Sequence, residues 1–413
     1  MRGSEDEKDA MGDCEPVMVK MVGGIGAVAA ADWDACAGAR SQDGARTIPY
    51  NPFISHTFLS ILEESGSVSD KTGWIPQHLV AEDGAGGVAA CMPCYLKSHS
   101  QGEYVFDWGW ADAFERAGGR YYPKLQVAVP FTPVPGRRLL VRPGLDLRHF
   151  GAVLAEAAEE LARRYGVSSV HVTFLSQAEW ELLGGRGFLR RTGQQFHWTN
   201  SGYTDFEGFL SALAARKRKQ IRRERRDARA GDISIEWLTG RDITEAHWDA
   251  FFAFYMDTGS RKWGRPYLNR RFFSLLGEAM ADDVLLIFAN RAGRPIAGAL
   301  NMIGSDALYG RYWGALEDHP FLHFELCYYQ AIEFAIARGL DRVEAGAQGP
   351  HKLARGYLPQ TIYSAHWIAD PGLRRAVARF LDEERAHVAF EQRLLSDHAP
   401  FRKDGSLDRS EET

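Results

Sequence analysis

Short apolar runs separated by turn-forming residues predict a strand-rich unit in the second half of the chain. After three such runs, apolar side chains recur at helical spacing, and Gly339 marks the end of that helix. One more short strand follows. The predicted strands are residues 284–290, 296–303, 307–314 and 342–346, and the predicted helix is about residues 324–338. The order is therefore an antiparallel meander, a helix and a strand.

The first half of the chain repeats this order. Two strands flank a glycine-rich turn at residues 83–87, and a helix that ends at Gly166 precedes another strand. The predicted strands are residues 78–82, 88–97, 104–110 and 168–175, the predicted helix is residues 147–165, and an insertion covers residues 123–143. The helices that precede the two meanders are residues 55–64, 244–258 and 270–281. We interpret the pattern as a weak internal duplication.

An antiparallel meander followed by a helix and a strand is the order of the GNAT acyltransferase fold. We expect the α/β (α+β) class, with tandem GNAT-like (acyl-CoA N-acyltransferase) domains and mixed, largely antiparallel sheets. The alternative is an unrelated α/β protein that contains the same order of elements. The predicted boundaries are a disordered leader at residues 1–16, domains at 17–200 and 201–400, and a tail at 401–413.

The composition agrees with a chain that folds into two domains. The 413 residues are 45% hydrophobic, which excludes wholesale disorder, and a net charge of −5 excludes a globally basic nucleic-acid coat protein. No apolar run reaches the roughly 18–20 residues that span a bilayer, and the first residues are polar and acidic, unlike a signal peptide. Five cysteines argue against a disulfide framework. We expect a cytoplasmic protein.

The densest group of chemistry-bearing residues follows the last predicted strand, in the string QGPHKLARGYLP that begins at Gln348. Glycine and proline break regular structure there, so we expect His351, Lys352 and Arg355 on a loop or the first turn of a helix. Lys352 and Arg355 would share one face of that turn. Such cations can hold a phosphate or the negative charge of an acyl-transfer intermediate, and His351 can accept a proton. The alternative is a polar loop with solvated cations.

Residues 216–229 form a strongly basic segment in a chain that is net negative. Nine of the fourteen are Lys or Arg and two are acidic, and the segment contains no Gly or Pro, so it should be helical. The concentration of charge indicates an anionic partner: a tRNA backbone, a nucleotide-linked precursor or an anionic membrane surface. The alternative is a solvated arm. The predicted anion contacts are Arg216, Lys217, Lys219, Arg222 and Arg223.

Two carboxylates near the loop are candidate acid–base groups. Glu325 lies at the start of the predicted helix, with Tyr328 and Tyr329 about one turn later as hydrogen-bond donors. The alternative for Glu325 is a carboxylate that caps the helix or forms an ion pair near its start. Glu344 is either a buried partner for an arginine or a site residue that faces Lys352.

Metal and nucleotide-cofactor motifs are not found in the sequence. The histidines near the loop have no spacing typical of metal ligands, so we expect no metal. Cys91 and Cys94 are spaced like a redox pair but lie inside a predicted apolar strand, which disfavours redox chemistry. Neither repeat contains the glycine-rich loop with which a conventional acetyl-CoA GNAT domain holds pyrophosphate.

Several strings of the chain are similar to a known family. They are residues 51–56 (NPFISH), 104–114 (YVFDWGWADAF), 121–125 (YYPKL), 311–314 (RYWG), 325–330 (ELCYYQ), 346–357 (GAQGPHKLARGY) and 364–367 (SAHW). Over about residues 50–395, the chain resembles the GNAT-like family of peptidoglycan biosynthesis/recognition, which is related to the Fem-type aminoacyl transferases.

This resemblance implies an N-acyltransferase that moves an aminoacyl or acyl group to an amine of a cell-wall precursor or a related metabolite. The implied donor is an aminoacyl-tRNA or an acyl-CoA, with no tightly bound cofactor. Lys352 and Arg355 would contact phosphate or the oxyanion, and His351 or Glu325 would be the base. The implied substrate-binding residues are Gln348, Tyr357, Tyr328, Arg311 and Trp313.

Two other functions stay open at this point. One is an acetyl- or acyl-CoA-dependent N-acetyltransferase, and the other is a non-catalytic module that binds an anionic glycan precursor. The chain also departs from many Fem enzymes because it shows no long coiled-coil arm, which weighs against tRNA engagement.

Overall fold

The computed structural model describes residues 17–38, 48–262, 266–346 and 349–402. The predicted leader, residues 403–413 of the predicted tail and the candidate site residue Gln348 lie outside these ranges. The strands are β1 (Met18–Val22), β2 (Trp74–Pro76), β3 (His78–Glu82), β4 (Val88–Met92), β5 (Cys94–Lys97), β6 (Lys124–Val127), β7 (Leu140–Val141), β8 (Ser169–Leu175), β9 (Leu189–Thr199), β10 (Ile233–Thr239), β11 (Val284–Arg291), β12 (Arg294–Ile303), β13 (Ala307–Ala315), β14 (Arg342–Glu344) and β15 (Leu358–Ile368).

The helices surround these strands. They are α1 (Ala30–Ala37), α2 (His56–Glu64), α3 (Trp108–Arg116), α4 (Leu147–Tyr165), α5 (Gln177–Gly185), α6 (Phe206–Ala212), α7 (Ala215–Ala228), α8 (Glu245–Lys262), α9 (Arg270–Met280), α10 (Leu322–Phe324), α11 (Gln330–Ala337) and α12 (Pro371–Asp397). Glu325–Tyr329 form a π-helical turn between α10 and α11, and Pro350–Arg355 form a 3-10 helix before β15.

An eleven-stranded sheet runs through both halves of the chain, in the order β10-β11-β12-β13-β14-β9-β15-β8-β6-β5-β2. At its centre β9 and β15 are antiparallel. Strand β9 ends the first half but pairs with β14 of the second half, and β15 ends the second half but pairs with β8 of the first. The two halves therefore exchange their last strands.

On both sides of the central pair β9 and β15, the next pairing is antiparallel and the one after it is parallel. Strand β14 is antiparallel to β9 and parallel to β13, and β8 is antiparallel to β15 and parallel to β6. A smaller antiparallel sheet, β1-β3-β4-β7, belongs to the first half. This arrangement confirms the α/β class with mixed, largely antiparallel sheets in a tandem GNAT-like order.

The sequence prediction is accurate for the second half and partly wrong for the first. The predicted third strand at residues 104–110 is wrong, because α3 begins at Trp108 and the third strand is β6, inside the segment predicted as an insertion. Tyr104 has a φ of +60°, which takes the backbone out of the strand region. The predicted strand at residues 88–97 is interrupted at Pro93, and β4 and β5 on either side belong to different sheets.

The first half of the large sheet has one apolar face and one polar face. Leu125 and Val127 of β6 and Val170 and Val172 of β8 lie in one apolar cluster, which α4 covers. Alternate residues of a strand project to the opposite face of the sheet. On these two strands the alternate residues are polar and buried: Lys124, Gln126, Ser169, His171 and Thr173.

The polar face contains an ionic network, which we call the Lys124 network and which consists of Glu103, Asp107, Tyr121, Lys124, His171 and His366. Lys124 Nζ donates to Glu103 Oε2 at 2.7 Å and to Asp107 Oδ2 at 2.5 Å, and each of the three residues is 3% exposed or less. The Nδ1 atoms of His171 and His366 are 2.6 Å apart, so one ring donates to the other. The two buried carboxylates require such a cation because an unpaired buried charge is costly.

Replacing Glu103 by glutamine should flatten part of the pH dependence of folding stability. Burial raises the pKa of Glu103 to about 7, from 4.5 for the ordinary carboxyl group, although Lys124 lowers it. The native state therefore binds more protons than the unfolded state between these two values, and stability falls as the pH rises through them. The contribution of this group is up to about 3 kcal/mol.

Urea unfolding of both proteins between about pH 5 and pH 8 measures this difference. The wild-type free energy of unfolding should decline more steeply with pH than that of Glu103→Gln. Parallel curves for the two proteins would contradict the prediction.

Candidate active site at the end of strand β14

Strands β13 and β14 separate soon after they meet, and the opening between them positions the candidate site. The two strands pair only between Ala307–Tyr309 and Arg342–Glu344, whereas β13 continues to Ala315. The pairing of β12 with β13 also shifts by one residue, which leaves Arg311 as the extra residue of a bulge. The backbone that follows Glu344 is thereby free to bond with side chains.

Lys352 binds the backbone that leaves β14. Gly349 has a φ of +122° and turns the chain into the 3-10 helix Pro350–Arg355. Lys352 Nζ donates to the carbonyl oxygens of Ala345 at 2.7 Å and Gly346 at 2.9 Å, and the residue is 2% exposed. Burial lowers the pKa of Lys352 to about 8. An ammonium group has three donors, and among the described residues only these two carbonyls accept from Lys352, so one N–H is left for a further acceptor.

Arg355 forms a buried ion pair with helix α7. Its Nη2 lies 3.0 and 2.9 Å from the two carboxylate oxygens of Glu224, and its guanidinium lies 3.5 Å from the centre of the Phe324 ring. Glu224 also accepts a hydrogen bond from the hydroxyl of Tyr329. Arg355 is therefore paired within the protein, and it joins the 3-10 helix to the basic helix.

His351 lies on the exposed side of the 3-10 helix, beside Tyr328. The Tyr328 hydroxyl and His351 Nε2 are 2.9 Å apart, and the Tyr357 hydroxyl donates to the backbone carbonyl of Tyr328 at 3.3 Å. Burial lowers the pKa of His351, and the charges of Arg355 and Lys352 lower it further. Burial raises the pKa of Tyr328. At neutral pH the pair is a neutral imidazole and a protonated hydroxyl.

Glu325 is wholly buried and is surrounded by donors. Arg225 donates to it through Nε at 3.1 Å, Arg229 through Nη2 at 2.7 Å and the amide of Gln330 at 2.8 Å. Its surroundings match the ion-pair alternative stated for it above. These donors and the surrounding core separate the carboxylate of Glu325 from solvent.

The two candidate residues of β13 lie in different surroundings. The Trp313 ring is 5.2 Å from the ring of His323, which in turn is 5.4 Å from that of Tyr328. Arg311 Nη2 instead donates to the carbonyl of Phe131, in the first half, at 2.6 Å. The structure thus brings together Lys352, His351, Arg355, Tyr328, Tyr357 and Trp313, and it places Arg311 against the first half.

Three residues of the site were not found from the sequence: Glu224, Gln195 and His197. Glu224 stands among cations and looks like part of a solvated charged surface. Gln195 and His197 alternate along β9, and they reach the site only because that strand crosses to the other half. His197 is directly opposite Glu344, whose Oε1 accepts from Arg342 Nε at 2.9 Å and whose Oε2 has no partner among the described residues.

Helix α7 has cations on its solvent-exposed face as well as on the face that packs against the protein. Ile221, Glu224 and Ala228 are buried, whereas Arg216, Lys219, Arg222 and Arg223 are exposed and Lys217 is half-buried. Arg222 pairs with Glu207 at 2.5 Å. Within the part of the chain that the structure describes, four of the predicted anion contacts form no ion pair: Arg216, Lys217, Lys219 and Arg223.

Metal-ligand clusters and membrane-spanning helices are absent from the described ranges. No group of three His, Cys, Asp or Glu side chains there is arranged to hold a metal ion. No helix among the described residues is long and apolar enough to cross a membrane.

Replacing Glu325 by alanine should destabilise the fold by about 3 kcal/mol, because Arg225 and Arg229 of α7 lose a wholly buried ion-pair partner. Urea unfolding measures the loss. As a control, Glu207→Ala on α6 removes an exposed ion pair with Arg222 of α7 and should change stability little. Similar small effects for both variants would show that Glu325 does not hold α7 in place.

Several solved structures are similar to this chain at low sequence identity. A search of the curated proteins found no match. Among solved structures, FemX has a TM-score of 0.52 at 11% identity, over 85% of this chain and 98% of that chain. L-PGS from Bacillus licheniformis has a TM-score of 0.48 at 11% identity, over 78% and 95% of the two chains. A tandem GNAT protein from the clavulanic acid biosynthesis pathway has a TM-score of 0.47 at 13% identity, over 86% and 99%.

One protein family matches most of the sequence. The FemAB-like profile, described as peptidoglycan biosynthesis/recognition, matches residues 24–403. This span contains both halves of the large sheet and the Lys352 site, and it confirms the family resemblance of the sequence strings. The chain therefore belongs to the FemAB-like family, which places it among acyltransferases of GNAT-like fold.

Proposed function

We propose that the protein is an N-acyltransferase that moves an aminoacyl or acyl group from an activated ester or thioester to an amine of a cell-wall precursor or a related metabolite. The observation that carries the proposal is the buried ammonium of Lys352, at the point where β14 separates from β13. Membership of the FemAB-like family supports the reaction class. The donor is an aminoacyl-tRNA or an acyl-CoA that binds only for the reaction.

The chemistry requires a fixed positive charge. The amine nitrogen attacks the donor carbonyl, the bond to the leaving oxygen or sulfur breaks, and the nitrogen loses one proton. Negative charge gathers on the carbonyl oxygen between these events. A hydrogen-bond donor aimed at that oxygen lowers the barrier, because its hydrogen bond to the oxygen is stronger in the transition state than in the ground state. Lys352 is suited to this because the carbonyls of Ala345 and Gly346 hold its Nζ before substrate arrives.

Arg355 acts by positioning Lys352. Its ion pair with Glu224 and its stacking on Phe324 fix the 3-10 helix against α7 and the π-helical region. His351 and Tyr328 then form a polar wall beside Lys352, which can orient a substrate by hydrogen bonds. In this arrangement an acyl donor bound along α7 presents its ester or thioester carbonyl to Lys352.

The outer surface of α7 favours aminoacyl-tRNA as the donor. Four cations there are unpaired among the described residues: Arg216, Lys217, Lys219 and Arg223. A row of such charges along a helix suits an extended phosphate backbone, which releases counterions as it binds. A CoA molecule offers far fewer phosphates to a surface of this length.

Deletion of the gene should remove an acyl or aminoacyl adduct from the pool of cell-wall precursors and free amines, as measured by mass spectrometry. The wild-type gene should restore the adduct. Lys352→Met should not, because methionine fills the same space without a donor, and loss of a single oxyanion donor slows the reaction by about 10²–10³-fold. As a control, Lys71→Met changes an exposed lysine of the first half and should restore the adduct.

The outcomes separate the function from the site. Unchanged pools after deletion would contradict the proposed function. Full restoration by Lys352→Met, in vivo and in a purified assay, would contradict the assignment of Lys352.

Replacing Arg216, Lys217, Lys219 and Arg223 together by glutamate should weaken the binding of bulk tRNA and reduce its salt dependence. Each lost phosphate contact lowers the slope of log K against log salt by about 0.7–0.9. Filter binding over a range of salt concentrations gives both quantities. Arg116→Glu, at an exposed position on α3, is the control. Unchanged tRNA binding, together with thermal stabilisation by CoA, would favour an acyl-CoA donor.

A further inference from the structure

His197 lies on β9 where that strand enters the second half. It is directly opposite Glu344 of β14 on one side and Leu358 of β15 on the other. Directly opposed residues of antiparallel strands project from the same face, and neighbouring strands are about 4.8 Å apart. Glu344 immediately precedes Ala345, whose carbonyl binds Lys352. His197 is therefore one strand away from the backbone that holds the ammonium.

The hydrogen bonds around His197 determine its tautomer. Gln195 Nε2 donates to the carbonyl of Pro133 at 2.8 Å, which sets the orientation of the amide. Gln195 Oε1 then lies 3.1 Å from His197 Nε2. An amide oxygen only accepts hydrogen bonds, so Nε2 of His197 carries the proton and Nδ1 holds the lone pair. Nδ1 has no hydrogen-bond partner among the described residues.

The surroundings favour the neutral form of this imidazole. Burial lowers the pKa of His197; among the charges that face it, Glu344 raises the pKa, and Arg342 and Lys352 lower it. The residue is 9% exposed, so it is not sealed in the core. A neutral imidazole with a free Nδ1 is able to accept a proton at neutral pH.

We propose that His197 is the general base of the transfer reaction, an inference that rests on the function proposed above. His197 Nδ1 takes the proton that the amine loses as the nitrogen–carbon bond forms. The bond from the carbonyl carbon to the leaving oxygen or sulfur breaks in the same reaction, and the proton later passes from Nδ1 to that leaving group. The imidazolium formed in between lies beside Glu344, and Oε2 of Glu344, which has no partner among the described residues, stabilises the new charge.

The first test is the tautomer of His197 in the full-length protein. Long-range ¹H–¹⁵N NMR of protein labelled at histidine nitrogens should show a neutral ring with the proton on Nε2 at about pH 7. The His197→Asn variant assigns the signal, and Gln195→Leu, which removes the acceptor at Nε2, should increase the fraction of rings that carry the proton on Nδ1. A ring that is cationic, or that carries its proton on Nδ1, would overturn the proposal.

The second test is the pH dependence of transfer. The acceptor is the precursor extract of the deletion strain, and the donors are bulk tRNA charged with ¹⁴C-labelled amino acids and, separately, labelled acetyl-CoA. The wild-type rate should fall toward low pH as Nδ1 becomes protonated. His197→Asn should be at least about 100-fold slower and should lose this acidic limb. His387→Asn, on the exposed surface of α12, should behave as the wild type.

The result for each variant has one meaning. If the wild type transfers label and His197→Asn does so at the same rate, His197 is not the base, while the proposed function stands. If His351→Asn removes the acidic limb and His197→Asn keeps it, His351 is the base instead. A wild type that transfers no label from either donor would contradict the proposed function itself.

Discussion

The exchange of last strands between the two halves is the constraint on which the rest of the structure depends. Strand β14 has only three residues, and it pairs with β13 on one side and with β9 on the other. Without β9, the inner edge of this short strand would expose unpaired backbone groups in the middle of a sheet. The 3-10 helix Pro350–Arg355 leads directly into β15, the partner of β9. The position of Lys352 therefore depends on a strand from the other half.

Buried charges then connect this sheet to the basic helix. Arg355 requires Glu224, and Glu325 requires Arg225 and Arg229, because each of these charges would be costly to bury alone. The two faces of helix α7 thus have different roles. Its inward charges fix it beside Lys352, and four of its outward cations form no ion pair among the described residues. A highly charged segment that would otherwise be a solvated arm becomes part of the site by this division.

The sequence predicted what local patterns determine and missed what distant partners determine. The meander of the second half and the group His351, Lys352 and Arg355 follow from apolar periodicity and turn residues close in the chain. The third strand of the first half was misplaced because β6 has four residues and one of them, Lys124, is a buried cation whose partners lie on a separate loop. The role of Glu325 was open for the same reason, since its arginines lie about a hundred residues away. Burial of polar groups on one sheet face has no local signature.

The two halves also differ at the ends of β14 and β8, the two strands that flank the central pair β9 and β15. In the second half, Lys352 binds the backbone after β14, and its third N–H has no acceptor among the described residues. In the first half, Arg138 is fully buried beside β8 and donates to the carbonyl of Thr173 at 2.9 Å. The loop that precedes Arg138 also reaches β9, where the Pro133 carbonyl orients Gln195. A loop of the first half therefore occupies the end of β8 and also contacts β9, so the two halves of the scaffold differ at these corresponding positions.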